Sequence, residues 1–149
     1  LDIPLDDKPR VVKFHIPCHP PKATHQSALR VFKNKAGKTF VGKSSKGRQT
    51  ESQLLLLLEP HRPKTPLRGA LKMKVLWNFP FRKSETKKNK ALNLIPCHTR
   101  PDCDNLLKFL CDCMERLDFF ETGDAQIYDI QFIKSWAKTH GITITIKEQ

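Results

Sequence analysis

Residues 71–79 alternate by a period of two. Leu71, Met73, Val75, Trp77 and Phe79 are apolar, while Lys72, Lys74 and Asn78 fall mainly on the other face. This pattern predicts an antiparallel strand with one buried face, closed by Pro80. A shorter alternation runs through 11–16, where Val12, Phe14 and Ile16 oppose Val11, Lys13 and His15 until Pro17, Pro20 and Pro21 stop it. Ile127 to Lys134 predicts a strand carrying Tyr128, Ile130 and Phe132 on one side, and Ile142 to Ile146 alternates Ile with Thr as a final strand. Ala28 to Phe32 and Thr39 to Val41 flank Asn34-Lys-Ala-Gly37 and read as a hairpin in which the glycine supplies a positive φ.

Two segments change period. In 105–117, Leu106, Leu107, Leu110, Cys113, Met114 and Leu117 form one apolar stripe at helical spacing, with Lys108, Asp112 and Glu115 away from its centre. Asp104 is placed to be the N-cap of that helix. A first helix is expected over Thr50 to Glu59, with Thr50 as N-cap, Gln53 three residues on, and Pro60 and Pro63 marking its end. The charged stretch Arg82 to Lys90 has no apolar period and reads as a loop that stays mobile until something anionic binds. The expected order is β, hairpin, α, β, α, β, β without internal repeat. At 149 residues this fits one domain over 11–149, preceded by a flexible tail over 1–10.

Charge sharpens the picture. Residues 61–100 hold eleven Lys or Arg against one acid, a net of +10, whereas residues 101–130 hold eight acids against two bases, a net of −6. Basic surface favours phosphate backbones through counterion release. An acidic cluster beside it weakens polyanion binding unless divalent cations turn repulsion into coordination. Together they point to a metal-dependent enzyme acting on nucleic acid. With no twenty-residue apolar span and no signal-peptide pattern, a soluble, membrane-free protein is expected. The five cysteines form no CxxC pair, and the odd count argues against a disulfide framework and for a reducing cytoplasm. A zinc site from Cys18, His19, Cys97 and His98 is conceivable, but the spacing matches no zinc finger; the alternative is free thiols and surface histidines.

The candidate chemistry lies in Arg100-Pro-Asp-Cys-Asp-Asn-Leu-Leu-Lys108, followed by Asp124-Ala-Gln126. In an extended segment Asp102 and Asp104 share a face and could hold oxygens around one hard cation such as Mg²⁺ or Mn²⁺. Asp124 supplies a third carboxylate from a turn, and Lys108, one helical turn on, could reach a phosphate or leaving oxygen as charge develops. Each residue also has a plainer reading. Asp104 alone serves as a helix cap, Asp124 as a turn residue, and Lys108 as a surface partner of Asp104 or Asp112.

These residues resemble the RusA family of Holliday junction resolvases. The Asp-x-Asp-Asn-Leu-x-Lys core at 102–108, Asp112 four residues after the lysine, the Asp-Ala-Gln-Ile at 124–127, Lys134 and the Ile-Thr-Ile-Thr-Ile ending carry the likeness. Phe14-His-Ile-Pro, Pro21-Lys22, Gly37-Lys-Thr-Phe40 and the Trp77 strand extend it more weakly. Gly123 departs from it, standing where the family has the first acid of an Asp-Asp pair, and Cys18-His19 stands where relatives have a Gly. The resemblance implies a single small α+β domain with a mixed, largely antiparallel sheet and two main helices. It also implies a homodimer that cuts four-way DNA junctions symmetrically with Mg²⁺ or Mn²⁺, in the cytoplasm of a bacterium, with phage or prophage origin suggested by analogy. Asp102, Asp104 and Asp124 then hold the metal and Lys108 is the catalytic lysine. Lys72, Lys74, Arg82, Lys83, Lys87, Lys88, Lys90 and Arg100 are the candidates for junction phosphates. A non-catalytic branched-DNA-binding protein of the same fold, or a nuclease for other branched or flap DNA, is the alternative.

Overall fold

The strand centred on Val75 organises the molecule. The computed structural model describes residues 8–22, 29–43 and 45–149. In chain order these form β1 (Val11–Ile16), β2 (Leu29–Lys33), β3 (Thr39–Lys43), α1 (Ser45–Leu58), β4 (Leu71–Pro80), α2 (Lys87–Lys90), β5 (Leu94–Pro96), α3 (Cys103–Arg116), β6 (Ile127–Ala137) and β7 (Gly141–Glu148). Short 3₁₀ turns occupy Glu59–His61 and Asp124–Gln126. Five strands make one sheet in the order β1-β7-β4-β6-β5. All neighbours are antiparallel except β4 and β6, which run parallel because α3 lies between them in sequence. The fold is therefore α+β with a mixed, largely antiparallel sheet and two main helices, as the residue pattern and the resemblance implied.

The alternation in β4 translates directly into burial. Leu71, Met73, Val75, Trp77 and Phe79 are all buried, and each such side chain stabilises the fold by roughly 1.5–3 kcal/mol. Register places Ile146, Ile144 and Ile142 of β7 beside Met73, Val75 and Trp77, with Phe14 and Ile16 of β1 continuing that face. The apolar side of α3 covers it through Leu106, Phe109, Leu110, Cys113 and Met114, joined by Leu54 and Leu58 of α1. Arg116 of α3 bonds the buried carboxylate of Glu51 on α1, tying the two helices together.

Several expectations need correction. The first helix begins at Ser45 rather than Thr50, so the Thr50 hydroxyl donates to the Lys46 carbonyl at 3.0 Å inside the helix instead of capping it. The main helix begins at Cys103, which makes Asp102 the N-cap residue and puts Asp104 in the first turn; the Asp102 side chain makes no capping bond. Arg82 to Lys90 is built rather than loose. Buried Glu85 accepts from Arg82 at 3.1 Å and from Asn89 at 2.7 Å, and Thr86 caps α2 by accepting the Asn89 N–H at 3.2 Å. Strand β5, not expected, pairs with the end of β6, which runs on to Ala137. A register shift between Leu71 and Lys72 leaves Tyr128 unmatched opposite β4, so Tyr128 departs from the side shared by Ile130 and Phe132.

The hairpin forms as a separate two-stranded sheet whose turn includes Gly37 at φ +80°; Ala28 lies outside the described residues. Of the expected tail, residues 1–7 lie outside the described residues. Arg10 is tied into the fold, bonding Glu148, Thr65 and the Pro66 carbonyl. No helix among the described residues is long and apolar enough to cross a membrane.

Candidate active site

The polar flank of α3 faces the 3₁₀ turn that precedes β6. The apolar stripe of α3 must face the core, so residues off that stripe are turned outward. Asp104, Leu107, Lys108 and Cys111 of α3, with Asp124 from the turn and Ile127 and Ile130 of β6, line one open pocket of about 300 Å³. Three of the four expected residues, Asp104, Lys108 and Asp124, thus share a pocket. Asp102 does not line it; it sits exposed at the N-cap, two residues before Asp104.

A second grouping was not foreseen. Carboxylate oxygens of Asp112, Glu115 and Asp124 lie within 4.8 Å of one another, the one set of three potential metal-ligating side chains so clustered among the described residues. Asp112 and Glu115 had been read as lying away from the centre of the apolar stripe, with Asp112 a surface partner of Lys108 and a part of the resemblance. The signal was present, since Lys108, Asp112 and Glu115 recur at helical spacing on the flank that carries Asp104. Only the position of the Asp124 turn against that flank brings Asp112 and Glu115 together with Asp124.

Electrostatics follow from this crowding. Burial, a hydrogen bond with Glu115, and the negative charges of Glu115 and then Asp112 push the Asp124 carboxyl above the usual aspartate range, and Lys108 offsets part of that. Burial, reinforced by the charges of Asp124, Asp112 and Glu115, pushes the Cys111 thiol up to about 12, so it stays protonated. Lys108 lies 3.8 Å from Asp112, and its side chain is 72% exposed, which leaves the ammonium free to move.

Two further contacts place these groups. Lys134, the last residue of the predicted strand and a part of the resemblance, reaches from β6 to donate to the Pro101 carbonyl at 2.6 Å and to the Thr99 carbonyl, holding the turn that leads into α3. Gln126 accepts the Thr122 N–H at 2.7 Å and donates to the carbonyls of Leu67 and Gly69, each at 3.0 Å, anchoring the Asp124 turn to the strand entry of β4.

The candidate phosphate contacts fall in three places. Lys72 and Lys74 project from the uncovered face of the sheet, and register brings Lys147 opposite Lys72 and Thr145 opposite Lys74. Thr145 in turn opposes Lys13 on β1, so four lysines share that face with Asp129, which lies 3.8 Å from Lys72. Lys13 and Lys147 had been missed, though Lys13 sits at an outward position of the predicted first strand and Lys147 directly follows the predicted last one. Like charges on neighbouring strands cost stability, which argues that Lys72 and Lys147 are not paired for folding. Arg82, Lys83, Lys87, Lys88 and Lys90 lie instead on the α2 segment, where the Arg82 guanidinium stacks 3.9 Å over the Trp136 ring. Arg100 is exposed beside the α3 entry.

The structure does not gather the sulfur and imidazole set. His19 packs on His140 at 4.6 Å and His98 on Trp136 at 5.6 Å, while the Cys97 sulfur lies 3.8 Å from the Thr99 hydroxyl.

Comparison with known proteins agrees with the residue pattern. "Uncharacterized protein YqaN" of Bacillus subtilis (strain 168) is 28% identical over 117 residues, spanning 75% of this chain and 81% of that protein. The sequence profile of the family described as "Endodeoxyribonuclease RusA" matches residues 18–147, nearly the whole of the domain. This chain belongs to the RusA endodeoxyribonuclease family.

Proposed function

We propose that this protein is a metal-dependent endodeoxyribonuclease that resolves four-way DNA junctions, as a homodimer, by paired hydrolysis of phosphodiesters in opposed strands. The observation that carries the reading is the convergence of Asp104, Lys108 and Asp124 on one pocket. The donors offered there are carboxylate oxygens, the set that a hard divalent cation such as Mg²⁺ or Mn²⁺ takes. Asp104 and Asp124 would hold it, with Asp102 at the adjoining helix entry. Once bound, the cation would offset phosphate charge and lower the pKa of an attacking water.

The protein's own groups do the rest. Lys108 is the group placed to meet a non-bridging or leaving oxygen as negative charge develops, since its pairing with Asp112 is exposed and weak. Leu107, Ile127 and Ile130 give the pocket apolar walls, which strengthen the interaction of charges inside it.

The substrate reading draws on charge and symmetry. The lysines of the uncovered sheet face, Lys13, Lys72, Lys74 and Lys147, and the cations of the α2 segment provide two basic surfaces for DNA arms, which would position the junction without reading its bases. A two-fold dimer would present two identical pockets to two equivalent strands.

The test is incubation of a labelled immobile four-way junction and a linear duplex of matched sequence with Mg²⁺, Mn²⁺ or EDTA. Paired nicks confined to the junction and abolished by EDTA are expected. Junction binding without nicks in either metal would contradict the nuclease and leave a non-catalytic branched-DNA-binding protein, and preferred cutting of added flap substrates would contradict the junction specificity.

A further inference from the structure

We propose that Glu115 is a positioning residue that holds Asp124 at the pocket, and that Gly123 is present to admit its carboxylate. This rests on the proposed role of Asp124. Glu115 lies in the last turn of α3, and its Oε1 accepts the backbone N–H of Asp124 at 2.6 Å. Gly123 immediately before has φ +128°, a region that side-chain-bearing residues rarely adopt. A Cβ at that position would come within 2.9 Å of the same Oε1. The oxygen that grips Asp124 therefore occupies the volume a side chain at 123 would need.

The other donors of the turn are held from elsewhere. Gln126 Oε1 takes the N–H groups of Thr122 at 2.7 Å and Gly123 at 3.3 Å, and Gln126 Nε2 bonds the loop before β4. Glu115 is thus the tie from the turn to α3, the helix that carries Asp104 and Lys108. Lys134 links β6 to the entry of α3, whereas Glu115 bonds the Asp124 turn itself to the far end of that helix. If Glu115 acts through this bond to the Asp124 N–H, an uncharged acceptor of the same shape should serve, whereas action of its second carboxylate oxygen on a bound ion would need the charge. That separates positioning from metal ligation.

The experiment compares wild type, Glu115→Gln and Glu115→Ala in two readouts. The first is amide hydrogen exchange of the metal-free proteins across residues 122–126. Loss of one hydrogen bond in Glu115→Ala should speed exchange at Asp124 by about tenfold, with Glu115→Gln close to wild type. The second is the Mn²⁺ dependence of junction cleavage, where Glu115→Ala should lower the plateau rate by about tenfold or more at unchanged junction affinity, and Glu115→Gln should restore most of it. Unchanged exchange at Asp124 in Glu115→Ala would overturn the proposal, as would Glu115→Gln cleaving as poorly as Glu115→Ala, since the charge would then matter and not the acceptor. Absence of cleavage by the wild type would instead overturn the nuclease reading, and the exchange result would still decide the role of Glu115.

Discussion

Lys134 Nζ donates to the carbonyl of Pro101 at 2.6 Å, a bond from the middle of β6 to the turn that opens α3. The same ammonium bonds the Thr99 carbonyl, so one side chain satisfies two backbone acceptors that no helix or sheet ladder reaches. Asp102 follows Pro101 directly and Asp104 comes two residues later, which makes Lys134 the link between the sheet and the acid-bearing helix entry. Lys134→Ala should cost about 1 kcal/mol of stability through the lost hydrogen bonds, since water can reach the freed carbonyls. Cleavage should fall further than junction binding, because the acids and not the basic faces lose their support. Urea unfolding with parallel cleavage and binding assays checks this; equal losses in both assays would point to global destabilisation instead.

Asp124 is held in a setting that suits a cation better than a lone carboxylate. Its carboxyl is raised by burial, by its hydrogen bond with Glu115, and by the charges of Glu115 and Asp112. An acid whose folded pKa lies above its unfolded value opposes folding when ionised, and the opposition fades as pH falls through the folded pKa. Asp124→Asn should therefore raise the melting temperature of the metal-free protein at neutral pH, and the gain should vanish in acid. Mn²⁺ should raise the melting temperature of wild type more than that of the variant. Thermal scans at several pH values, with and without Mn²⁺, measure both.

Glu148 shows the opposite shift. Its burial would raise the carboxyl, but hydrogen bonds from the Arg10 side chain and from the backbone N–H groups of Arg68 and Arg10 outweigh that and hold it at about 2. A depressed acid contributes stability above its unfolded pKa, and that contribution is lost as pH falls from about 4.5 towards 2. Glu148→Gln should cost about 2 kcal/mol at neutral pH and leave a protein whose unfolding free energy falls less steeply across that acid range. Urea midpoints between pH 2 and 7 test the slope.

The strands were legible because burial on one side imposes a period of two, and β4 met it without exception from Leu71 to Phe79. The helix ends were less so. Asp102 and Asp104 are both good caps by type, and what selects Asp102 is the preceding turn, fixed from outside the helix by Lys134. Glu85 could not be recognised as buried, since its partners Arg82 and Asn89 look like any charged stretch until they close on it. The candidate site was half legible. Asp104, Lys108 and Asp124 stood out by type and spacing, whereas Glu115 acquires meaning only when Gly123 brings the Asp124 amide onto its carboxylate, a contact across nine residues.

Cleavage and binding measured on one labelled four-way junction, for wild type, Asp104→Asn and Asp124→Asn in Mg²⁺ and in Mn²⁺, test the central claim most directly. The acids are proposed to hold the catalytic cation while the lysines hold the DNA. Each substitution should then abolish cleavage in both metals and leave junction affinity equal to wild type or tighter, since a charge repelling phosphate has gone. Cleavage that survives both substitutions, or binding that falls in step with cleavage, would contradict the account.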